Sequence, residues 1–253
     1  MRLLLDLGNT RLKWAWRGSA PAWLAHGAME WSDDLAALAE AAWAGLPRPA
    51  QVVVASVVDG GRERQVGAIV QQAFAVAPSW VRTPASACGV RNAYAEPQRL
   101  GVDRFLAMVA AHAGGASPCV LASAGTALVL DALAADGRHL GGLIAPGVQL
   151  MQRSLLDATA QVRPQRDGDV LELADNTADA VASGCWQAAA ALIERFHSHM
   201  RPRLGGTPAL LLDGGDAPRL APLLSLPVQL TRDSVLRGLA LWADAHMPAT
   251  AGH

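Results

Sequence analysis

Cysteine is scarce in this chain, and so are aromatic residues, net charge and long uninterrupted apolar runs. Cys88, Cys119 and Cys185 are the three cysteines in 253 residues; they are odd in number, far apart and form no Cys-x-x-Cys pair. A disulfide framework and a thiolate metal site are thereby excluded, and buried thiols in a reducing compartment are expected. The formal net charge is −1 and no stripe of arginine or lysine stands out, which argues against a nucleic-acid surface. Asp6 and Asn9 interrupt the N-terminal apolar run after Leu3-Leu4-Leu5, so no secretory leader is expected. Pro118–Leu133 is the most apolar later segment, yet it carries Asp131 and a Gly-Thr turn, so it does not read as a membrane span. The expectation is a cytoplasmic protein with neither membrane nor nucleic acid as partner. Hydrophobic residues make up 51% of the chain, enough at this length for two small cores or one large one.

What the chain does have is one theme stated twice. Leu3-Leu4-Leu5-Asp6-Leu7-Gly8-Asn9-Thr10 runs into Arg11-Leu12-Lys13-Trp14, and Val120-Leu121-Ala122-Ser123-Ala124-Gly125-Thr126-Ala127 runs into Leu128-Val129-Leu130-Asp131. Each is an apolar strand, a polar residue, a turn with glycine and threonine, and a second strand. Glycine lets turn amides approach an anion closely, successive amides form a concave anion site, and threonine adds a hydroxyl. Two such turns facing each other would hold a polyphosphate from both sides, a way to bind ATP without a Walker motif. One copy alone describes an ordinary hairpin equally well. Two copies are harder to dismiss, because the same number of residues separates Asp6 from Ser123 as Gly8 from Gly125. That spacing points to a duplicated domain.

The order of elements repeats as well. Strands are expected at Leu3–Leu7, Arg11–Trp16 and Ala22–His26, a helix capped by Ser32, a strand at Gln51–Ser56, a helix at Arg62–Phe74, a short strand at Ser79–Val81 and a helix at Asp103–Ala113. The pattern restarts with strands at Val120–Ser123, Leu128–Leu133 and His139–Ile144 and a helix after Gly147. A long helix over Thr177–His199 follows, then the strand Ala209–Asp213, a helix from Pro218, the strand Val228–Leu230 and the helix Ser234–Ala245. This is the order of the actin and sugar-kinase architecture: an α/β fold of duplicated actin-like (ribonuclease H-like) domains around a nucleotide cleft, divided as residues 1–115 and 116–253. Two polar loops, Pro84–Leu100 with the only tyrosine, Tyr94, and Gln161–Asp175, are connectors or specificity loops.

Several residues read two ways. Asp6, immediately before the first turn, is either a turn-capping carboxylate or a magnesium contact beside phosphate. Lys13 is a solvated strand residue or a point charge for the phosphates. Asp103, in Gly101-Val102-Asp103-Arg104, is a first-turn cap or a general base, with Arg104 as a fork of donors for an acidic group. Gly141-Gly142-Leu143-Ile144-Ala145-Pro146-Gly147 ends a strand in a tight turn, and Asp213-Gly214-Gly215-Asp216 is a strand-to-helix turn or a loop for adenosine. His197 and His199 close a helix and are expected at the surface.

Assembled in order, these pieces resemble the type III pantothenate kinases, which make 4′-phosphopantothenate in the first committed step of coenzyme A synthesis. The matching segments are Asp6 to Thr10, Gly101 to Arg104, Gly125-Thr126-Ala127 with Asp131, Gly141 to Gly147, Asn176-Thr177 ahead of Gly184, and Gly214-Gly215-Asp216. The resemblance implies a homodimer of the fold given above. It implies that Asp6, Leu7, Gly8, Asn9, Thr10, Arg11, Leu12 and Lys13, with Thr126, hold ATP and that Asp6 meets magnesium. It implies further that Asp103 accepts the proton, while Tyr94, Gly101, Val102, Arg104 and Thr177 lie against pantothenate. Many members carry, at the position of Ser123, an aspartate that binds potassium or ammonium. A neutral serine is a weaker ligand, so little dependence on a monovalent cation is expected. Two other classes compete: a regulator acting through a protein partner, and another small-molecule kinase of the same fold. The Gly-x-Asp-Arg helix start disfavours the latter.

Overall fold

Strand β1 (Arg2–Leu7) is apolar on both faces because it lies inside a sheet that is covered on both sides. The structure, a computed structural model, describes residues 1–18, 22–159 and 166–247. β1 pairs antiparallel with β2 (Arg11–Arg17), which pairs with β3 (Trp23–Glu30). Helix α1 (Leu35–Trp43) leads to β4 (Gln51–Ser56), parallel to β1, and α2 (Gly60–Phe74) to β5 (Pro78–Val81), parallel to β4. A small hairpin, β6 (Ser86–Ala87) and β7 (Val90–Arg91), precedes α3 (Val102–Ala113). The sheet order is β3-β2-β1-β4-β5. One face packs Leu3, Leu5, Trp14 and Trp16 against Leu35, Trp43, Val66 and Val70 of α1 and α2.

The second sheet repeats this plan. It contains β8 (Cys119–Ala124), β9 (Ala127–Leu133) and β10 (His139–Pro146), followed by helices α4 (Val148–Ala158) and α5 (Thr177–Leu204). Then come β11 (Ala209–Asp213), the short α6 (Ala217–Leu220) and β12 (Gln229–Leu230). The order β10-β9-β8-β11-β12 has the same two antiparallel and two parallel pairings as the first sheet. The resemblance between the two turn sequences is thus a resemblance between two whole sheets. The core of this unit packs Val120, Leu130, Leu210 and Leu212 against Trp186, Ala189 and Ile193 of α5.

The last helix, α7 (Ser234–His246), departs from the expected division. The compact units are Met1–Gly114 together with the segment from Asp233, and Gly115–Arg232, whereas the sequence division kept everything from residue 116 onward together. The physical reason is packing: α7 buries Leu236, Leu239, Ala240 and Ala243 against the first unit, on α3 and strands β1, β2 and β4. Gly238 permits this, since a Cβ there would overlap the Leu106 carbonyl. Arg2 and Arg17 both pair with Asp244 and tie the helix to β1 and β2.

Three local expectations change. α1 begins at Leu35 with Asp34 as its N-cap and no side-chain capping bond, while Ser32 offers its carbonyl to the Leu35 amide. α2 does have a side-chain cap, Asp59, which accepts from the Gly61 and Arg62 amides; those bonds hold its carboxyl below the ordinary range. His197 is not at the surface. α5 continues to Leu204, and His197 is buried with Nε2 at 2.9 Å from the Pro208 carbonyl. Of the cysteines, Cys119 is buried and its thiol is pushed up to about 12 by desolvation, while Cys88 and Cys185 are half-buried. No described helix is long and apolar enough to cross a membrane.

Candidate nucleotide and substrate site

In the first unit, the hairpin between β1 and β2 closes with the Gly8 amide donating to the Arg11 carbonyl at 3.2 Å. Gly8 does not adopt a left-handed conformation, and its amide is committed inside the turn, so Asn9 and Thr10 form the exposed tip. Asp6 and Lys13 are cross-strand partners and share a face. Asp6 is 8% exposed, and the Lys13 ammonium lies 4.0 Å from Asp233 at the start of α7. Two residues absent from the motif set hold the turn from outside. Trp31 Nε1 donates to the Gly8 carbonyl at 2.8 Å, and Arg62 Nη1 donates to the Asn9 carbonyl at 3.0 Å. The Arg62 guanidinium lies over the Trp31 ring, 4.7 Å from its centroid.

The second unit builds its turn more tightly, with the Gly125 amide donating to the Ala127 carbonyl at 3.1 Å. Backbone encloses it from two sides. Gly147 donates to the Thr126 carbonyl at 3.0 Å, and a Cβ on Gly147 would overlap the Gly125 carbonyl. Gly214, at φ +104°, lies so close to the Ala124 carbonyl that only glycine fits; the Asp216 amide donates to that same carbonyl at 3.1 Å. Burial pushes the Asp216 carboxyl up. The glycine motifs of β10 and β11 therefore work as walls around Gly125-Thr126. Thr126 itself is exposed. Ser123, also exposed, is the register partner of Asp213 on the neighbouring parallel strand, so a carboxylate stands beside the serine. Asp131 does not reach the turn; it forms a buried pair with His139 at 2.8 Å.

At the start of α3 the structure brings together most of the expected substrate residues. Gly101 is the N-cap, without a side-chain capping bond, and Val102 is buried behind it. Asp103 is half-buried and its Oδ1 accepts from the Arg104 amide at 2.8 Å. Arg104 is 8% exposed, and its Nη1 donates to the Tyr94 hydroxyl at 3.0 Å. Tyr94 is placed by Asn92, whose Oδ1 accepts from the Tyr94 amide at 2.9 Å and whose Nδ2 donates to the Pro97 carbonyl at 3.0 Å. The loop Pro84–Leu100 is thus an ordered carrier of Tyr94.

Thr177 opens α5 in the second unit and is exposed. Beside it lies a polar anchor that sequence reasoning missed. The Asp179 carboxylate accepts from Asn176 Nδ2 at 2.6 Å, from Arg166 at 2.9 Å and from the Asp169 amide at 2.8 Å. One helical turn on, Ser183 bonds the Leu171 amide and the Asp169 carbonyl, and Gln187 bonds the Leu171 carbonyl. Spacing of four residues along α5 was the available signal. Of the loop Gln161–Asp175, the part up to residue 165 lies outside the described residues.

Magnesium keeps most of its water and takes one or two carboxylates plus substrate phosphates. Asp6, buried at a strand end next to the turn, fits that modest demand, and among the described residues no cluster of three or more metal-binding side chains is present.

Comparison with known proteins places the chain in a family. The family model described as type III pantothenate kinase matches residues 2–199. A type III pantothenate kinase of Laribacter hongkongensis is 43% identical over 241 residues, covering 95% of this chain and 97% of its own. One from Xanthomonas oryzae pv. oryzae is 45% identical over 248 residues, covering 96% and 97%. Among solved structures, a Baf-family protein from Campylobacter jejuni superposes with a TM-score of 0.62 at 16% identity, covering 96% of this chain and 98% of its own. An inorganic polyphosphate/ATP-glucomannokinase from Arthrobacter does so with 0.50 at 14%, covering 96% and 98%. These likenesses show the actin-like, sugar-kinase fold. On the family match and the near full-length identities, the chain belongs to the type III pantothenate kinase family.

Proposed function

We propose that this protein transfers the γ-phosphoryl group of ATP to the primary hydroxyl of pantothenate, giving 4′-phosphopantothenate and ADP for coenzyme A synthesis. The observation that carries the substrate reading is the cluster at the start of α3: a carboxylate, a buried guanidinium and a phenol within one turn and one loop. A buried arginine, bonded to Tyr94, suits a carboxylate-bearing substrate. Asp103 then takes the hydroxyl proton as that oxygen attacks the γ-phosphorus in line and the β–γ bridging oxygen leaves with ADP. The protein's share of the work is positioning and charge neutralisation. Residues Asp6 to Lys13 and Thr126 hold the triphosphate, Asp6 holds magnesium, which when bound offsets phosphate charge, and Gly101, Val102 and Thr177 border pantothenate.

A homodimer is part of this reading, supported by Leu143 and Ile144, which stand exposed on β10, at the edge of its sheet; light scattering of the purified chain tests it. The site of action is the cytoplasm, where ATP is supplied. The decisive experiment is an ATP-dependent assay of pantothenate beside a panel of sugars. Turnover of pantothenate alone is the expected result, and phosphorylation of a sugar in its place overturns the assignment.

A further inference from the structure

Trp31 and Arg62 hold the first turn from outside, yet the reaction as described assigns them no task. Trp31 follows β3 and Arg62 lies in the first turn of α2, far apart in sequence. They converge on two successive carbonyls, those of Gly8 and Asn9, and stack on each other. A trans peptide is planar, with its carbonyl and the following N–H pointing in opposite directions. Holding the Gly8 carbonyl therefore fixes the direction of the Asn9 N–H, and holding the Asn9 carbonyl fixes that of Thr10. The Gly8 amide is already used by Arg11, so Asn9 and Thr10 are the tip amides whose aim these two side chains decide. A carbonyl bonded to a cation also polarises its own peptide group and strengthens the N–H as a donor. The cation–π stack couples the two donors, so neither moves alone.

From this geometry we propose that Trp31 and Arg62 are positioning residues for the nucleotide, aiming and polarising the Asn9 and Thr10 amides toward the phosphates of ATP. The proposal rests on reading this turn as a phosphate site. The test uses the full chain with Arg62→Ala, Arg62→Lys and Trp31→Phe, measuring ATP affinity by calorimetry and both KM values. Loss of a bond of this kind is expected to weaken ATP binding and raise the ATP KM about five- to tenfold in Arg62→Ala. The pantothenate KM and the melting temperature stay near wild type. Arg62→Lys recovers part of the affinity, and Trp31→Phe, which keeps the stack but loses the N–H, falls between. Unchanged ATP affinity in Arg62→Ala overturns the proposal, as does an equal loss for both substrates. Magnesium–ATP affinity of Asp6→Ala separates the two layers. If Asp6→Ala and Arg62→Ala are both silent, the phosphate reading of the turn fails; if Arg62→Ala alone is silent, only the positioning role fails.

Discussion

Lys13 is the chain's only lysine among 21 basic residues, and it sits across from Asp6 in the hairpin proposed to hold ATP. A compact, strongly hydrated ammonium is a different tool from a guanidinium, so its single use is a compositional signal for this site. Asp103→Asn is expected to lower kcat by ~10²–10⁴ while ATP affinity holds; normal turnover in a merely less stable variant would show that Asp103 only caps α3. Asp6→Ala is expected to shift the magnesium dependence of the rate at fixed ATP, and an unaltered titration removes its metal role. Ser123 contributes one neutral oxygen, and the Asp213 carboxylate beside it already accepts the Gly214 amide at 2.6 Å. Potassium or ammonium is therefore expected to activate weakly, since a cation site must offset dehydration with anionic or carbonyl-rich ligands. Ser123→Asp is expected to create a strong dependence. Rates in Tris buffer with and without millimolar potassium decide the matter, and strong activation of the wild type would overturn it.

At the scale of elements, the N-terminus of α5 depends on Asp179. Asn176, Arg166 and the Asp169 amide, in that order, hold its carboxyl down at about 2 against an ordinary 3.8. A depressed carboxyl contributes stability that is complete above the ordinary value and is lost as pH falls through about 2. Asp179→Asn is therefore expected to melt below wild type at neutral pH, with the gap closing as the solution is acidified. Melting curves across the acid range check it, and a gap that does not depend on pH refutes it. Gly214 tests the enclosure of the second turn: Gly214→Ala forces a left-handed backbone and an overlap with Ala124. Denaturant titration should show a loss on the order of 1–3 kcal/mol. The sequence spacing located most strands within a residue or two, because buried strands declare themselves by apolar runs. It misplaced the cap of α1 and the exposure of His197, since caps and helix ends depend on where the neighbouring chain passes.

For the whole molecule, α7 is the test case. Its apolar face was legible, but its destination was not: adjacency in sequence assigned it to the second unit, whereas packing on α3 and the Asp244 ion pairs assign it to the first. Leu239→Ala is expected to destabilise the protein by ~2–5 kcal/mol. Hydrogen exchange should locate the loss in β1, β2 and α3, and a loss confined to the second unit would contradict the packing. Sequence alone determined the duplicated sheets, the two Gly-Thr turns and the identity of the Asp103–Arg104 helix start, because each is written in local spacing along one stretch of chain. Tertiary structure alone decided that Tyr94 meets Arg104, that Trp31 and Arg62 converge on one turn, and that Gly147 and Gly214 wall in the other. Those contacts join residues of different elements, and no periodicity of a single segment records which other surface it will meet.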